Sequence, residues 1–337
     1  MVRPLPFAVL AILALAPGLV INAPAAPPAA VADSRAVDVG HLSLRDAARD
    51  KDLELRVSFP REPGRNPLIV FSHGAWSSRD EYQPLVAHWV RSGYVVVQAN
   101  HSDSSQLGGS PGWNSFRDWV NRPRDISFVI DSIPMIESRV PGLAGRIDAS
   151  RIGVGGHSFG GMSAQLIAGA RVTGTLRGER DFRDERVTAV LLLSPPGSGD
   201  ILSKESWDGV KVPLMTVTGT NDNSRRRGRD YTWRMEPYEY TAPGDNYLLL
   251  LEGADHDLGG ISGTENSYGW VADAAQVRIV QRVTTQFWDA FLKRDAAAGA
   301  FLRGSERIVE DGASATLSHK SARQTGTDRR PPERTSR

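Results

Sequence analysis

The sequence predicts an α/β fold in which helices cover both faces of a mostly parallel central sheet. Two observations support this prediction. Short apolar runs recur along the chain, as they do in strands that are buried on both faces. Segments with apolar residues three or four positions apart lie between these runs, and such alternation is typical of a parallel sheet. With 337 residues, of which 40% are hydrophobic and 23% charged, the chain is long enough for one such domain.

Local patterns predict the individual elements. Residues 53–59 alternate between apolar and polar side chains, which indicates an antiparallel edge strand. Continuous apolar runs predict buried strands at 67–72, at 94–98, directly before Ser158, at 187–193, at 212–217 and at 247–251. We expect the strand at 247–251 to be the last one. Helical spacing predicts helices at 82–92, 126–133, 162–168 and 280–291, and the segments 171–186 and 223–246 are predicted to be connections.

The two ends of the chain differ from the middle. Residues 5–21 form an apolar run after Arg3, and Ala- and Pro-rich sequence follows, as in a secretory signal peptide. Cleavage is predicted before Asp33, after the small residues 30–32, with the segment 23–25 as second choice. An uncleaved membrane anchor is the alternative, which two prolines and the short run disfavour. The predicted regions are a signal peptide at 1–32, an α/β domain at 33–304 and a disordered, polar and basic tail at 305–337.

Composition excludes several classes of site and partner. The formal net charge is +1, which provides no general attraction to nucleic acid or to an anionic membrane. The chain has no cysteine, so a disulfide, a thiolate metal site and a lipid-anchored cysteine are all excluded. The mature domain must therefore depend on its own hydrophobic core for stability.

The segment from Gly156 to Gly160 fits the pattern Gly-x-Ser-x-Gly, with Ser158 at its centre. A predicted strand precedes it and a predicted helix follows it, which is the context of a nucleophile elbow. A Cβ atom at either glycine would collide with the neighbouring strand or helix as the chain reverses. A glycine-rich helix cap is the alternative. A phosphate loop is excluded because no Lys-Ser/Thr pair follows, and the glycine spacing does not match a dinucleotide-binding fingerprint.

Two residues at other strand ends complete a candidate catalytic triad with Ser158. Asp222 follows the predicted strand 212–217, and His256 follows the predicted strand 247–251. Because the carboxyl ends of parallel strands share one edge of the sheet, these side chains are expected to meet. A serine hydroxyl becomes a good nucleophile when an adjacent base, oriented by a third group, removes its proton. We predict Ser158 as nucleophile, His256 as base and Asp222 as acid, with Asp200 as the alternative acid.

Four segments, 71–74, 122–126, 156–161 and 253–260, resemble the dienelactone-hydrolase-like group of α/β-hydrolases, which includes platelet-activating-factor acetylhydrolases and chlorophyllases. The resemblance covers roughly residues 46–302 and implies an α/β-hydrolase fold without a large cap domain. It also implies that Ser158 is the nucleophile, that His256 is the base and that the backbone amides of Ala75 and Phe159 form the oxyanion hole.

This resemblance has two departures. The acetylhydrolases carry their acid one strand earlier, where this chain has the sequence 194–197, whereas Asp222 suits the dienelactone-hydrolase arrangement. Dienelactone hydrolases use a cysteine nucleophile, which this chain lacks.

Together, these patterns predict a secreted or periplasmic serine esterase that forms an acyl-enzyme. The expected substrate is a short-acyl or lipid-like ester, with no nucleic-acid partner and no stable membrane insertion after signal cleavage. No cofactor or metal is expected, because no second histidine lies at ligand spacing from His256. Trp76, His101 and Trp113 are candidate pocket residues, and His73 is expected to be structural. The alternatives are an amidase or polyester hydrolase with the same triad and a non-catalytic binding protein with the same fold.

Overall fold

Strands and helices alternate through most of the chain. The computed structural model describes residues 36–108, 118–173, 181–224, 227–264, 269–304 and 306–321. Its strands are β1 (Val37–Asp46), β2 (Lys51–Pro60), β3 (Asn66–Ser72), β4 (Val95–Ala99), β5 (Ile147–His157), β6 (Val187–Leu193), β7 (Leu214–Gly219), β8 (Asn246–Leu251), β9 (Glu306–Glu310) and β10 (Ala313–His319). Its helices are α1 (Gln83–Arg91), α2 (Asp118–Asp131), α3 (Ile133–Arg139), α4 (Phe159–Ile167), α5 (Thr232–Tyr240), α6 (Ala274–Trp288) and α7 (Ala296–Arg303).

The described strands form one sheet in the order β1-β2-β4-β3-β5-β6-β7-β8-β10-β9. The six central strands, from β4 to β8 in this order, run parallel to one another. The strands β1 and β2 on one side, and β10 and β9 on the other, are antiparallel to their neighbours. The predicted mostly parallel sheet is therefore confirmed. The parallel arrangement places the carboxyl ends of β3, β5, β7 and β8 along one edge, where ligands bind in open α/β sheets.

Helices cover both faces of this sheet, as predicted. On one face, buried residues of α2, α3 and α4 pack with Val70 and Val154 of the central strands. On the other face, α1 and α6 pack with Ile69 and Phe71. Consecutive strand residues such as Ile69 and Val70 thus enter opposite cores, which explains why the parallel strands are apolar at every position.

The structure differs from the prediction at one strand and at one connection. The predicted edge strand at 53–59 is an interior strand, because β2 pairs with β1 on one side and with β4 on the other. Alternating polarity reflects the burial of one face of a strand and carries no information about its position in the sheet. The predicted connection 223–246 contains the helix α5.

The predicted disordered tail is wrong for the residues that form β9 and β10, and the strand at 247–251 is therefore not the last one. The strand β10 pairs with β8, and β9 pairs with β10. Ile308, Ala315 and Leu317 are buried in the core, with Leu317 fully inaccessible. These residues alternate with polar ones, and the average polarity of the segment hides this two-residue period. Residues 322–337 and the predicted signal peptide at 1–32 lie outside the described residues.

The described residues all fall within one structural unit, Ser34–Arg337, and no separate cap domain is distinguished within it. In the described ranges, no helix has both the length and the hydropathy that crossing a bilayer requires.

Candidate active site

Ser158 lies at a sharp corner between the end of β5 and the start of α4, as the elbow pattern predicts. Its backbone has φ 52° and ψ −114°, a strained combination for a residue with a side chain. A Cβ atom at Gly156 would lie 2.3 Å from the Gly160 oxygen, and one at Gly160 would lie 2.0 Å from the Ser72 oxygen. Only glycine fits at these two positions, and their close packing holds Ser158 in its strained conformation.

The structure brings Ser158, His256 and Asp222 into one hydrogen-bonded relay. Ser158 Oγ lies 2.9 Å from His256 Nε2, and His256 Nδ1 lies 2.8 Å from Asp222 Oδ1. The Asp222 carboxylate accepts the Nδ1–H bond, which leaves Nε2 to accept the hydrogen of the serine hydroxyl. The predicted alternative acid, Asp200, is not part of this relay. Its side chain is 73% exposed, and its carboxylate lies 3.9 Å from the Arg227 guanidinium.

Asp222 is fully buried, and its carboxylate contacts the side chains of Thr218 and Arg234 in addition to that of His256. The hydroxyl of Thr218 donates to Asp222 Oδ2 at 2.9 Å, while Arg234 Nε lies 2.6 Å from the same Oδ1 that His256 contacts. Arg234 also donates to the carbonyl oxygens of Ser194 and Pro195 and to that of Asp222 itself. Arg234 therefore links α5 to the turns after β6 and β7. No sequence pattern distinguishes Arg234, because it is one of several basic residues in a segment that was predicted to be a connection.

These contacts determine the charge states of the relay. Burial by itself would raise the pKa of Asp222, but His256 and the Arg234 guanidinium outweigh it and hold the pKa below its usual range. Burial and the positive charge of Arg234 lower the pKa of His256, although Asp222 opposes this effect. At neutral pH, the relay therefore consists of a carboxylate and a neutral imidazole, the state in which His256 can accept a proton.

A second chain of hydrogen bonds joins the loop after β3 to His256. The Gly74 N–H donates to the Tyr82 hydroxyl oxygen at 3.0 Å, and this hydroxyl contacts His157 Nδ1 at 2.9 Å. His157 Nε2 donates to the carbonyl oxygen of His256 at 2.8 Å. Burial, with a contribution from His256, lowers the pKa of His157 to about 3, so this ring is neutral and cannot act as a cationic acid near neutral pH. The His157 ring packs beside the relay, with 4.8 Å between its centroid and that of the His256 ring.

Ala75 and Phe159 line the same cavity as Ser158. Phe159 is the first residue of α4, where backbone N–H groups have no partner within the helix. None of the described residues accepts a hydrogen bond from either N–H group. These groups are therefore available to an oxygen atom of a ligand bound at Ser158.

The cavity has a volume of about 560 Å³. Its apolar wall includes Trp119, Met162, Ile201, Trp233 and Trp270. The Trp270 ring lies edge-on to the His256 ring, with 5.5 Å between the ring centroids. The cavity is large enough for a substrate with a medium-length alkyl chain or an aromatic group beside Ser158.

The structure places the three predicted pocket residues differently. Trp76 lines the cavity, whereas Trp113 lies outside the described residues. His101 is not a cavity residue: it is 1% exposed and lies behind the loop after β3, where its Nε2 contacts Ser72 Oγ and its Nδ1 contacts Asp125, both at 2.9 Å. Ser72, His101 and Asp125 have the same residue types as the relay, but all three are at most 1% exposed, so no substrate reaches them.

His73 is structural, as predicted. It is 1% exposed and donates from Nδ1 to the Gly74 oxygen at 2.6 Å. Within the described part of the chain, no group of three or more His, Cys, Asp or Glu side chains has the arrangement of a metal site.

The sequence of residues 69–328 matches the family model that is described as the alpha/beta hydrolase family. No curated protein matches the chain. The matched segment covers more than half of the chain and includes all three residues of the relay.

Proposed function

Because the chain belongs to the alpha/beta hydrolase family, we propose that it is a serine hydrolase that cleaves carboxylic ester bonds. The observation that carries this proposal is the unbroken relay from Ser158 through His256 to Asp222, at a strained elbow that faces a cavity. A protein that only binds its ligand has no physical need for a strained serine hydrogen-bonded to a neutral imidazole.

The proposed reaction begins with proton transfer from Ser158 Oγ to His256 Nε2 as the oxygen attacks the ester carbonyl carbon. The carbonyl oxygen becomes an oxyanion, which accepts hydrogen bonds from the N–H groups of Ala75 and Phe159, each contributing about 3 kcal/mol to the lowering of the barrier. The carbon–oxygen bond to the alcohol then breaks, and His256 returns the proton to the alcohol. Water repeats the sequence on the acyl-enzyme and releases the acid and the free serine.

Asp222 maintains the imidazole in the required tautomer and stabilises its cation during each proton transfer. Its place after β7, one strand beyond the strand that follows the elbow, agrees with the dienelactone hydrolases of the dienelactone-hydrolase-like group and differs from the acetylhydrolases of that group. We propose membership of that group on this basis.

The cavity supports an ester whose acyl part is apolar, either short or lipid-like. Its aromatic and aliphatic wall can pack against an alkyl or aromatic group, while Glu81, Arg227, Arg234 and Asp257 also line the cavity. We further propose that the substrate is a free small-molecule or lipid ester and that residues 1–32 direct export. N-terminal sequencing of protein recovered from the medium or periplasm tests the export, since the proposed mature chain begins at Asp33.

The test of the function is the hydrolysis of p-nitrophenyl esters, from acetate to dodecanoate, by residues 33–337 and by the Ser158→Ala variant. We expect the wild type to hydrolyse a subset of the esters and the variant, which lacks the nucleophile, to be inactive while it keeps the wild-type thermal unfolding temperature. Equal turnover by wild type and variant contradicts the assignment of Ser158. A folded wild type that is inactive on every ester, but active on anilides or on a polyester film, favours the amidase or the polyester alternative.

A further inference from the structure

One buried guanidinium lies directly behind the loop that carries Ala75. Arg122, on α2, is fully inaccessible to solvent. Its Nη1 donates to the His73 oxygen at 2.5 Å, and its Nη2 donates to the Gly74 oxygen at 3.1 Å. A buried arginine that is directed at two consecutive backbone carbonyls restrains the orientation of both peptide groups.

The contact with Gly74 has a direct geometric consequence for Ala75. The Gly74 carbonyl and the Ala75 N–H belong to the same planar trans peptide, in which the two bonds point in opposite directions. Because the Gly74 oxygen points towards Arg122 on α2, the Ala75 N–H must point away from Arg122. A guanidinium that donates to the oxygen of an amide also polarises that amide and strengthens its N–H as a donor.

Asp103 completes the arrangement. Arg122 forms a fork with this carboxylate, from Nε to Oδ1 at 3.1 Å and from Nη2 to Oδ2 at 2.7 Å. The same Oδ2 accepts a hydrogen bond from the Trp76 N–H at 3.3 Å. The pair therefore contacts the backbone on both sides of Ala75, through Gly74 and through Trp76.

Arg122 also contacts the second predicted oxyanion donor. Its guanidinium carbon lies 4.5 Å from the centre of the Phe159 ring, within the range of a cation–π contact. One side chain thus touches both Phe159 and the loop of Ala75, although these residues follow different strands.

The charges around this pair are consistent with a fixed arrangement. Burial opposes ionisation of Asp103, but the adjacent Arg122 outweighs it and lowers the pKa of this carboxyl group. Burial and the charge of Arg122 hold the pKa of His73 well below its usual range, so the neighbouring ring is neutral. The cation of Arg122 is therefore balanced by the Asp103 carboxylate, which contacts it at 2.7 Å.

We propose that Arg122 and Asp103 are a positioning pair that orients the oxyanion hole, chiefly by directing the Ala75 N–H into the cavity. This inference rests on the ester hydrolysis proposed above. A purely structural ion pair would contribute to folding, whereas a positioning pair contributes selectively to binding of the transition state.

The test compares Arg122→Lys and Asp103→Asn with the wild type. Lysine keeps the charge but, with a single ammonium group, cannot hold two carbonyls and a carboxylate in the same fork. Four quantities are measured: kcat, KM, thermal unfolding and the inhibition constant of a trifluoromethyl ketone. Ser158 Oγ adds to the carbonyl carbon of this ketone, His256 takes the proton, and the ketone oxygen becomes an anion in the oxyanion hole.

We expect Arg122→Lys to lower kcat by about 10² to 10³, the usual effect of losing one oxyanion donor, with KM nearly unchanged. The affinity for the trifluoromethyl ketone should fall by a similar factor. Asp103→Asn should show the same pattern with a smaller loss, because asparagine can still accept the Trp76 N–H but holds Arg122 less strongly.

The matched control is Arg49→Lys. Arg49 forms an ion pair with Asp125 at 2.7 Å, but it has no contact with the loop of Ala75. We expect this variant to lose thermal stability while it keeps kcat and the affinity for the trifluoromethyl ketone.

Active sites are counted by titration with a fluorophosphonate, so that a partly unfolded variant does not imitate a catalytic loss. If Arg122→Lys and Asp103→Asn keep the wild-type kcat per active site and the wild-type affinity for the ketone, the inference is wrong. If the wild type itself hydrolyses no ester, the proposed function is refuted instead.

Discussion

Removal of the charge of Arg234 should shift the pH dependence of catalysis. Arg234 Nε and His256 Nδ1 both contact Asp222 Oδ1, at 2.6 and 2.8 Å, so the two nitrogen atoms are at most 5.4 Å apart. The positive charge of Arg234 disfavours a second positive charge on His256, and it contributes to the lowered pKa of that ring. In the neutral variant Arg234→Gln, the pKa of His256 should therefore rise.

The size of this shift follows from Coulomb's law. Two unit charges about 5 Å apart, at an effective dielectric constant of about 20, repel each other by about 3 kcal/mol. Since one pKa unit corresponds to about 1.4 kcal/mol, this repulsion is equivalent to about two units. Relaxation of the site around the new side chain reduces the effect, so we expect a shift of about one unit or more.

The assay is the pH dependence of kcat/KM, which reports the ionisation of the free enzyme. In the proposed mechanism, catalysis requires neutral His256, so the wild type should lose activity as the pH falls below the usual imidazole value of about 6.5. In Arg234→Gln, this loss should begin at a higher pH, with much of the activity recovered in alkaline solution. Arg234→Lys keeps the charge and is the matched control. An acid limb that is the same in Arg234→Gln as in the wild type refutes this electrostatic argument.

Two further predictions test the acid of the relay and the end of the sheet. Asp222→Asn should lower kcat by about 10⁴, because asparagine favours the wrong imidazole tautomer, whereas Asp200→Asn should keep wild-type kinetics on the same ester; equal losses would contradict the assignment of the acid. A chain that ends at residue 304 lacks β9 and β10 and therefore exposes the edge of β8. It also loses the burial of Leu317 and Ile308, which contributes about 1.5 to 3 kcal/mol for each side chain. In thermal unfolding, this chain should melt at a lower temperature or aggregate, whereas a chain that ends at residue 321 should match the full-length protein; equal melting of the two truncated chains would show that β9 and β10 contribute no stability.

Local sequence was sufficient for the elbow and for most elements of the sheet. The corner at Ser158 depends on glycines within two positions of it, so its steric requirement is contained in five consecutive residues. Most central strands are continuous apolar runs, and α1, α4 and α6 have apolar residues at helical spacing; both patterns can be recognised without knowing which elements pack together. The predicted positions of Asp222 and His256 at strand ends likewise follow from one rule, that parallel strands end at the same edge.

Other features depend on residues that are far apart in the sequence. Neither β1 nor β10 has the continuous apolar run of a central strand, and each joins the sheet through backbone pairing with another strand. His101 follows a strand end just as His256 does, yet it is enclosed between Ser72 and Asp125, so position along the chain does not distinguish a cavity residue from a buried one.

The contacts that hold the candidate site in place also join residues that are far apart in the sequence. Arg234 reaches Asp222 from α5, Arg122 reaches the loop of Ala75 from α2, and the link between Tyr82 and His157 joins residues 75 positions apart. Each contact requires two elements to pack at a particular distance. The sequence alone therefore determined which residues have the chemistry of a hydrolase, because that chemistry follows from residue type and local backbone. The tertiary structure decided which buried charges hold those residues in position, because hydrogen bonds and ion pairs act over a few ångströms in space rather than along the chain.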